Sequence, residues 1–227
     1  MGLGMRRGVL IAFVAFVVCP FNVLGQESGR ELPPAEAERV LEQIAQAQAK
    51  VRTIRATVVQ KRSSTLLKNN SVTEGRLEGK RPGLIRWEVD KPSRSITWIG
   101  PDGVTIYYPD QRMAKTPPRW AVARAGGGLD KLFAFSDRPL AEIRQEHDVR
   151  VWSESGVVRV KLVPRNEGAA EMAFVFSPGD YTLREVAVLP PGGRAVTLTF
   201  RDMRVNAEIP DARFVPDLPP GTATGEM

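Results

Sequence analysis

Short segments in which apolar and polar side chains alternate make up most of the chain after residue 53. A period of two places successive side chains on opposite faces of a strand, and turn residues such as Pro101-Asp102-Gly103 separate the segments. Short strands at this spacing predict an antiparallel barrel or sandwich, and consecutive hairpins favour a simple meander. The predicted strands begin near residue 54 and then cover residues 72–79, 84–89, 95–99, 104–108, 149–153, 157–163, 172–176, 183–189 and 195–200.

One amphipathic helix precedes the strands. Pro33-Pro34 opens it, and small or medium apolar residues then recur three or four positions apart among glutamates and glutamines. A stripe of this kind has to be covered by another element, so we expect the helix to lie on the apolar face of the sheet. The stripe consists of Ala37, Val40, Leu41, Ile44, Ala47 and Val51.

Residues 117–147 interrupt the strand pattern. This stretch contains Pro117-Pro118, three glycines at 126–128 and a short helical pattern over residues 129–133. A second helical pattern begins near Asp137, which we expect to be its N-cap, and continues through Leu140 and Ile143. Glycines next to apolar helical segments favour a movable cover over a rigid part of the sheet.

The N-terminus has the pattern of an export signal. Arg6 and Arg7 precede an apolar run over residues 9–19, and Val23-Leu24-Gly25 has the residue sizes of a cleavage site. We therefore expect a signal peptide over residues 1–25 that is cleaved after Gly25, a single domain over residues 26–227 and export of the mature protein. The alternatives are an uncleaved membrane anchor, for which the run is short, and lipid modification of Cys19.

Export would change the composition of the mature protein in two ways. It removes Cys19, the only cysteine, so we expect neither a disulfide nor thiol chemistry, and the apolar core alone has to hold the fold. It also removes Arg6 and Arg7, which lowers the formal net charge from +6 to +4. A mild positive charge without a block of lysines and arginines among aromatic residues does not indicate nucleic-acid binding.

Residues that usually carry enzymatic chemistry are sparse. His147 is the only histidine, and we expect it on the solvated surface at the end of a helix. No Gly-x-Ser-x-Gly sequence is present, and glycines 126–128 lack the Lys-Ser/Thr of a phosphate-binding loop. We therefore expect a protein without catalytic residues, bound metal or cofactor, although the scattered carboxylates leave a catalytic pair as an open alternative.

The strand around Trp87 has one apolar and one charged face. Ile85, Trp87 and Val89 point to one side, whereas Arg86 and Glu88 point to the other. A sheet with such an apolar face has to be covered, and only one long and two short helices are available for this. Two arrangements satisfy the pattern: a fully packed core between sheet and helices, or a groove that the helices fill only in part.

A set of short motifs runs through the chain from about residue 35 to residue 221. The most specific of them is Gly75-x-Leu77-x-x-x-Arg81-Pro82-Gly83-Leu84-Ile85-Arg86-Trp87-Glu88. The others are Ile54-x-Ala56-x-Val58-x-Gln60, Asp102-Gly103 before an apolar strand ending in Tyr107-Tyr108-Pro109, Phe200-x-Asp202-x-x-Val205-Asn206-x-x-Ile209-Pro210, Phe214 and Pro219-Pro220-Gly221. Together they resemble the LolA family of periplasmic lipoprotein carriers, whereas residues 116–144 match that family poorly.

The resemblance implies a mainly β fold, in which an open, incomplete antiparallel barrel wraps over short helices, as in LolA and LolB. It implies a monomeric carrier that takes lipoproteins from an inner-membrane ABC-type releasing complex and delivers them to an outer-membrane receptor. Arg81 corresponds to the arginine that holds the helical lid by hydrogen bonds to lid carbonyls. A carrier of another lipid, and a periplasmic sensor that binds a protein partner, are the alternatives on the same fold.

The resemblance also implies an apolar cavity between the sheet and the lid, in which Trp87 is the matching aromatic residue and Ile85 lies beside it. We expect the acyl chains of a lipoprotein to contact apolar side chains of both layers. The predicted cavity residues are Leu41, Ile44, Ile85, Trp87, Val89, Trp98, Ile106, Tyr108, Leu132, Phe133, Phe135, Leu140, Phe174, Phe176, Val186 and Phe200.

Overall fold

The computed structural model describes residues 29–63, 71–117, 132–154 and 156–226, which form one mainly antiparallel sheet with helices on its inner face. The helices are α1 (Pro34–Ala49), α2 (Ala134–Asp137) and α3 (Leu140–Glu146), and two 3-10 turns cover Pro109–Gln111 and Asp211–Phe214. The strands are β1 (Arg30–Glu31), β2 (Thr53–Ser63), β3 (Ser71–Lys80), β4 (Leu84–Lys91), β5 (Ser95–Gly100), β6 (Gly103–Tyr108), β7 (Met113–Thr116), β8 (His147–Glu154), β9 (Val157–Pro164), β10 (Glu171–Phe176), β11 (Leu183–Leu189), β12 (Ala195–Val205) and β13 (Ala223–Glu226).

The sheet consists of two meanders. Strands β2 to β7 follow one another in space, and so do β8 to β12. The meanders are joined where β12 pairs with β2, and the short strands β1 and β13 form the two edges. The predicted open antiparallel sheet is confirmed, but the single meander is wrong, because the chain between β7 and β8 crosses to the far edge instead of turning back.

Helix α1 forms where the sequence pattern predicts it. Pro34 occupies the first helical position, where its missing N–H and fixed φ angle cost nothing. Leu41, Ile44 and Gln48 lie on one side of the helix, at three- and four-residue spacing, and are buried. This side faces the sheet, so the expected packing of the stripe on the apolar face is confirmed.

The apolar residues separate into one large cluster and two small ones. The large cluster contains the inner-face side chains of the strands together with those of α1, α2 and α3. The small clusters lie on the outer face: one contains Ala173, Val175 and Ala187, and the other is built around Trp98. Most of the apolar burial therefore lies between the sheet and the helices.

Three local predictions are wrong. Leu132 and Phe133 form a turn before α2 and are not part of a helix. Asp137 is the last residue of α2 and not the N-cap of the next helix, because Pro139 takes that position before α3. His147 is buried as the first residue of β8, where its Nδ1 lies 3.2 Å from the carbonyl oxygen of Ile143.

Three of the strands were not predicted. Strands β1, β7 and β13 have two to four residues each, too short for alternation to be recognised. The expected signal peptide with Cys19, the glycines at 126–128 and Leu129 lie outside the described residues. Within the described residues, the structure contains no helix of the length and apolar character that crossing a membrane requires.

Candidate functional site

Strand β4 provides the centre of the inner wall. Ile85, Trp87 and Val89 all point inward and are buried, as the alternation in the sequence predicts. Leu77 on β3 lies directly opposite Trp87 and is also buried in the large cluster. Directly opposite residues in an antiparallel pair have Cβ atoms about 5 Å apart, so these side chains form a continuous apolar surface.

The predicted cavity residues, with one exception, belong to the large cluster. Tyr108 and Leu140 are partly buried and pack against it. The buried members among them are Leu41, Ile44, Ile85, Trp87, Val89, Ile106, Leu132, Phe133, Phe135, Phe174, Phe176, Val186 and Phe200.

Trp98 is the exception, and its prediction as a cavity residue is wrong. Trp98 lies directly opposite Arg86 in the pairing of β4 with β5, and directly opposite residues share a face of the sheet. Since Arg86 points outward, Trp98 does too, and it packs with Tyr107 and Ala114. Its Nε1–H donates to the carbonyl oxygen of Arg213 at 3.3 Å.

Three phenylalanines connect the helical layer to the sheet. The ring of Phe135, in α2, meets the rings of Phe174 and Phe176 edge to face, with centroids 4.9 and 5.7 Å apart. Phe174 and Phe176 are neighbours on the inner face of β10, 6.4 Å apart and nearly parallel. Edge-to-face contacts add to the energy of apolar burial, so Phe135 helps to hold α2 against the sheet.

A glycine on β3 lets the turn before α2 approach the sheet. Gly79 points inward, and a Cβ atom there would lie 3.1 Å from Cζ of Phe133 and 3.2 Å from Cδ2 of Leu132. These distances are tighter than ordinary carbon contacts, so a larger residue would push the turn outward. The absence of a side chain at position 79 therefore allows this part of the helical layer to close on the wall.

The described inner-face residues of the sheet and of the three helices cover one another. The residues of the large cluster are at most 9% exposed. The two clefts described below lie on the outer face and at the end of α1. In the described part of the chain, the apolar side chains of the two layers are therefore packed against one another.

Arg81 connects the sheet to two helices at once. Its Nε donates to the carboxylate of Asp137 at 2.8 Å, and its Nη1 donates to the carbonyl oxygen of Ala49 at 3.3 Å. The first contact holds the end of α2 and the second the end of α1. The resemblance implies contacts of Arg81 with lid carbonyls, whereas these two contacts are with a carbonyl oxygen of α1 and a carboxylate of α2. Its role in holding the lid stays a prediction.

Further polar contacts attach α1 to its neighbours. Gln48 donates from Nε2 to the carbonyl oxygen of Tyr181 at 2.7 Å, and the Tyr181 hydroxyl donates to Oε1 of Gln43 at 2.6 Å. Arg144 in α3 forms an ion pair with Glu38 in α1. The sequence analysis missed these residues, although Gln48 lies four positions after Ile44 on the apolar stripe, where a polar residue signals a buried hydrogen bond.

A small cleft lies beside the end of α1, under Tyr181. It has a volume of about 210 Å³ and reaches Ile54 and Leu183 of the large cluster. Tyr181 itself has a φ angle of +51°, which residues other than glycine seldom adopt. Next to it, hydrogen bonds from the backbone N–H and the side chain of Thr182 lower the pKa of Asp180. The turn between β10 and β11 thus contacts the end of α1 through Tyr181.

A wider cleft, with a volume of about 530 Å³, lies on the outer face of β3 and β4 and is lined by charged side chains. Arg86 lies 2.7 Å from Glu88 and 3.8 Å from Glu78, and its guanidinium lies 5.9 Å from the centre of the Trp98 ring. Burial favours the neutral form of Glu88, but the hydrogen bond and charge of Arg86, together with Arg76, hold its pKa below the ordinary value. Ion pairs therefore cover this face.

The described part of the chain contains no group of three or more histidine, cysteine or acidic residues that could hold a metal ion. His147 makes a hydrogen bond to the backbone and has no acidic residue or second histidine in a metal-binding arrangement with it. Apolar side chains thus make up most of the inner face in the described part of the chain, with few buried polar residues, such as Thr97, among them.

Comparisons with known proteins agree with this chemistry. The sequence profile of the family described as outer membrane lipoprotein carrier protein LolA matches residues 49–217. The outer-membrane lipoprotein carrier protein of Azotobacter vinelandii is 26% identical over 205 residues, which is 84% of this chain and 90% of that protein. The carrier protein of Pseudomonas putida is 22% identical over 150 residues, or 66% of this chain and 70% of its own.

A solved structure shares the fold. A conserved protein of Thermus thermophilus superimposes with a TM-score of 0.50 at 16% identity, over 85% of this chain and 99% of that one. Such a low identity shows similarity of architecture alone.

Proposed function

Because this chain belongs to the LolA family of outer membrane lipoprotein carrier proteins, we propose that it carries lipoproteins by binding their acyl chains between the sheet and the helices. The proposal rests on one observation: the large apolar cluster is shared between two layers, the sheet and the helices. The wall is a continuous hydrogen-bonded sheet, whereas α1, α2 and α3 rest on it and are attached at a few polar points. We refer to these three helices as the cover.

Acyl chains bind when the cover moves away from the wall. The turn before α2 and Phe135 then leave their places against Gly79 and the phenylalanines of β10, and the acyl chain takes those places. Each acyl methylene removed from water contributes ~0.8 kcal/mol. A sixteen-carbon chain then contributes on the order of 10 kcal/mol before the costs of ordering it and of displacing the buried side chains of the cover.

The polar contacts make this movement reversible. Each hydrogen bond between the cover and the wall contributes about 1 kcal/mol net to the closed state. Arg81 makes two such contacts with different helices, so it stabilises the closed, ligand-free form relative to the loaded form. On delivery, restoring these contacts offsets part of the free energy that is lost when the acyl chain leaves.

We further propose that the protein works as a monomer in the periplasm after removal of residues 1–25, as a binding protein and not as an enzyme. It would receive lipoproteins from an inner-membrane ABC-type releasing complex and pass them to an outer-membrane receptor. The family supports lipoproteins as the cargo.

The cargo is tested by purifying the mature protein from the periplasm and analysing it by mass spectrometry. Triacylated lipoproteins or their acylated N-terminal peptides are expected to co-purify. Phospholipids or free fatty acids alone would instead identify a carrier of another lipid. A protein that binds none of these, even when lipoproteins are supplied from spheroplasts, would contradict the proposal.

The role of Arg81 is tested with Arg81→Leu. Losing its two contacts weakens the closed form, so lipoprotein should load but leave the variant roughly ten times more slowly. Arg138→Leu is the matched control, because Arg138 lies between α2 and α3 and pairs with Glu146 of α3, so this contact is made within the cover. Loading and unloading of Arg81→Leu at the rates of the unmodified protein would show that Arg81 does not hold the cover.

A further inference from the structure

The indole N–H of Trp87 has no acceptor among the described residues. Trp87 is 5% exposed, and its Nε1 atom is buried without a hydrogen-bond partner. Trp98 is equally buried, at 4%, but its Nε1–H donates to the carbonyl oxygen of Arg213. Two tryptophans on neighbouring strands thus differ in this one respect, and the unpaired donor is the one that faces the cover.

An unpaired donor at this place is costly to the ligand-free protein. Buried tryptophan N–H groups usually find a partner, and leaving one unpaired loses the free energy of its hydrogen bond to water. The apolar neighbours Ile85, Val89 and Leu77 supply no side-chain acceptor, and the indole N–H makes no hydrogen bond to the hydroxyl of Thr97 on the neighbouring strand. An acceptor that enters together with an apolar molecule would remove this cost.

We propose that Trp87 Nε1–H binds the carbonyl oxygen of the ester or amide that links an acyl chain to its head group. This inference rests on the proposed function and adds a polar contact that fixes how far the chain enters. A neutral carbonyl suits the site, since it accepts one hydrogen bond and brings no charge into an apolar interior. A free carboxylate does not suit it, because removing a charge from water among the apolar side chains around Trp87 is costly.

The neighbouring strand provides a second small polar group. Thr97 lies directly opposite Trp87 in the pairing of β4 with β5, faces inward and is buried. Its hydroxyl and the indole N–H therefore form a limited polar spot in an otherwise apolar wall. Contacts of this kind distinguish a carbonyl-bearing chain from a hydrocarbon of equal length, which the apolar surface alone does not.

The experiment replaces Trp87 by benzothienylalanine, in which sulfur takes the place of the N–H and the ring keeps its size. Binding of methyl palmitate and of octadecane is measured by displacement of N-phenylnaphthylamine from the mature protein. The replacement should weaken the binding of methyl palmitate about five- to tenfold and leave the binding of octadecane unchanged. An equal effect on both compounds, or none on methyl palmitate, would overturn the inference and leave the carrier function intact. Failure of the unmodified protein to bind either compound would overturn both.

The same replacement at Trp98 serves as the matched control. There it removes the hydrogen bond to Arg213, so the ligand-free protein should unfold at lower denaturant concentration while its preference for the ester is unchanged. At Trp87 the ligand-free protein should be as stable as before or more so. A loss of stability at Trp87 equal to that at Trp98 would mean that the N–H is already paired without ligand, contrary to the proposal.

Discussion

The two faces of β3, β4 and β5 are both buried, but by different means. On the inner face, Leu77 and Trp87 are covered by apolar side chains, many of which belong to helices. On the outer face, Arg86 is covered by Glu88 and by the ring of Trp98, which belong to the neighbouring strands β4 and β5. The inner face can therefore be uncovered by moving helices, whereas these contacts of Arg86 stay in place while β4 and β5 remain paired.

This difference indicates how a single sheet can serve as a stable frame and as a binding surface. Ion pairs need their partners at fixed positions, and neighbouring strands hold them there through backbone hydrogen bonds. Apolar contact has no preferred direction, so one apolar partner can replace another at little cost. Substitutions that exchange the character of the two faces should show which of them tolerates a charge.

The largest effect is expected from Trp87→Glu. It removes a large buried side chain and places a carboxylate in the apolar cluster, so the free energy of unfolding should fall by more than about 4 kcal/mol. Lipid binding should be lost in any fraction that folds. Urea denaturation and binding of N-phenylnaphthylamine measure the two effects.

Trp98→Glu is the matched test on the outer face. The new carboxylate would lie near Arg86. The free energy of unfolding should therefore fall by at least about 2 kcal/mol less than in Trp87→Glu, and lipid binding should be retained. Equal losses for the two variants would mean that the faces do not differ as described.

A second comparison concerns two arginines that share Glu88. Arg86 has a side chain that is 10% exposed, whereas that of Arg76 is 65% exposed, and both bind the same carboxylate. Arg86→Ala leaves Glu88 and Glu78 partly buried without their central partner, so it should cost about 3 kcal/mol of unfolding free energy. Arg76→Ala should cost less than about 1 kcal/mol. Similar losses in thermal or urea unfolding would show that the outer face is a solvated surface.

Local alternation predicted the inner wall well. The sequence of β4 alone separates Ile85, Trp87 and Val89 from Arg86 and Glu88, because successive side chains of a strand must point in opposite directions. The same rule did not place Trp98, since its face depends on the register of β5 against β4. Register is set by the turn and by pairing, and neither is visible within a single segment.

The attachment of the cover could not be predicted for the same physical reason. Asp137 resembles an N-cap by its position before a helical pattern, but its carboxylate binds Arg81, 56 residues earlier in the chain. His147 follows a charged helix, yet it begins a strand and is buried. Such contacts depend on the crossing of the chain between the meanders, which short-range patterns do not encode. The family resemblance supplied Arg81, but not its partners.

The outer face of the other meander, β8 to β12, contains a buried glutamate. It allows the comparison to be tested by varying the pH. Glu185 on β11 accepts a hydrogen bond from the Thr199 hydroxyl at 3.1 Å, and its Oε1 has no hydrogen-bond partner in the described residues. Burial raises the pKa of Glu185 to about 7, and the bond to Thr199 and the charges of Arg159 and Lys61 only partly oppose this. The outer face thus contains one carboxyl that its cations do not keep ionised.

Glu185→Gln is therefore expected to change the pH dependence of stability. Between the ordinary glutamate pKa of about 4.3 and about 7, the folded protein binds a proton that the unfolded chain has lost. The contribution of Glu185 to stability is thus present at acidic pH and is lost as the pH rises to about 7, by on the order of 3 kcal/mol. Glu185→Gln keeps a group that can accept from Thr199 and should lack this decline in urea unfolding measured at a series of pH values. A decline of the same size in the variant would show that another group causes it. Glu185 would then be kept ionised by its neighbours, as Glu88 is.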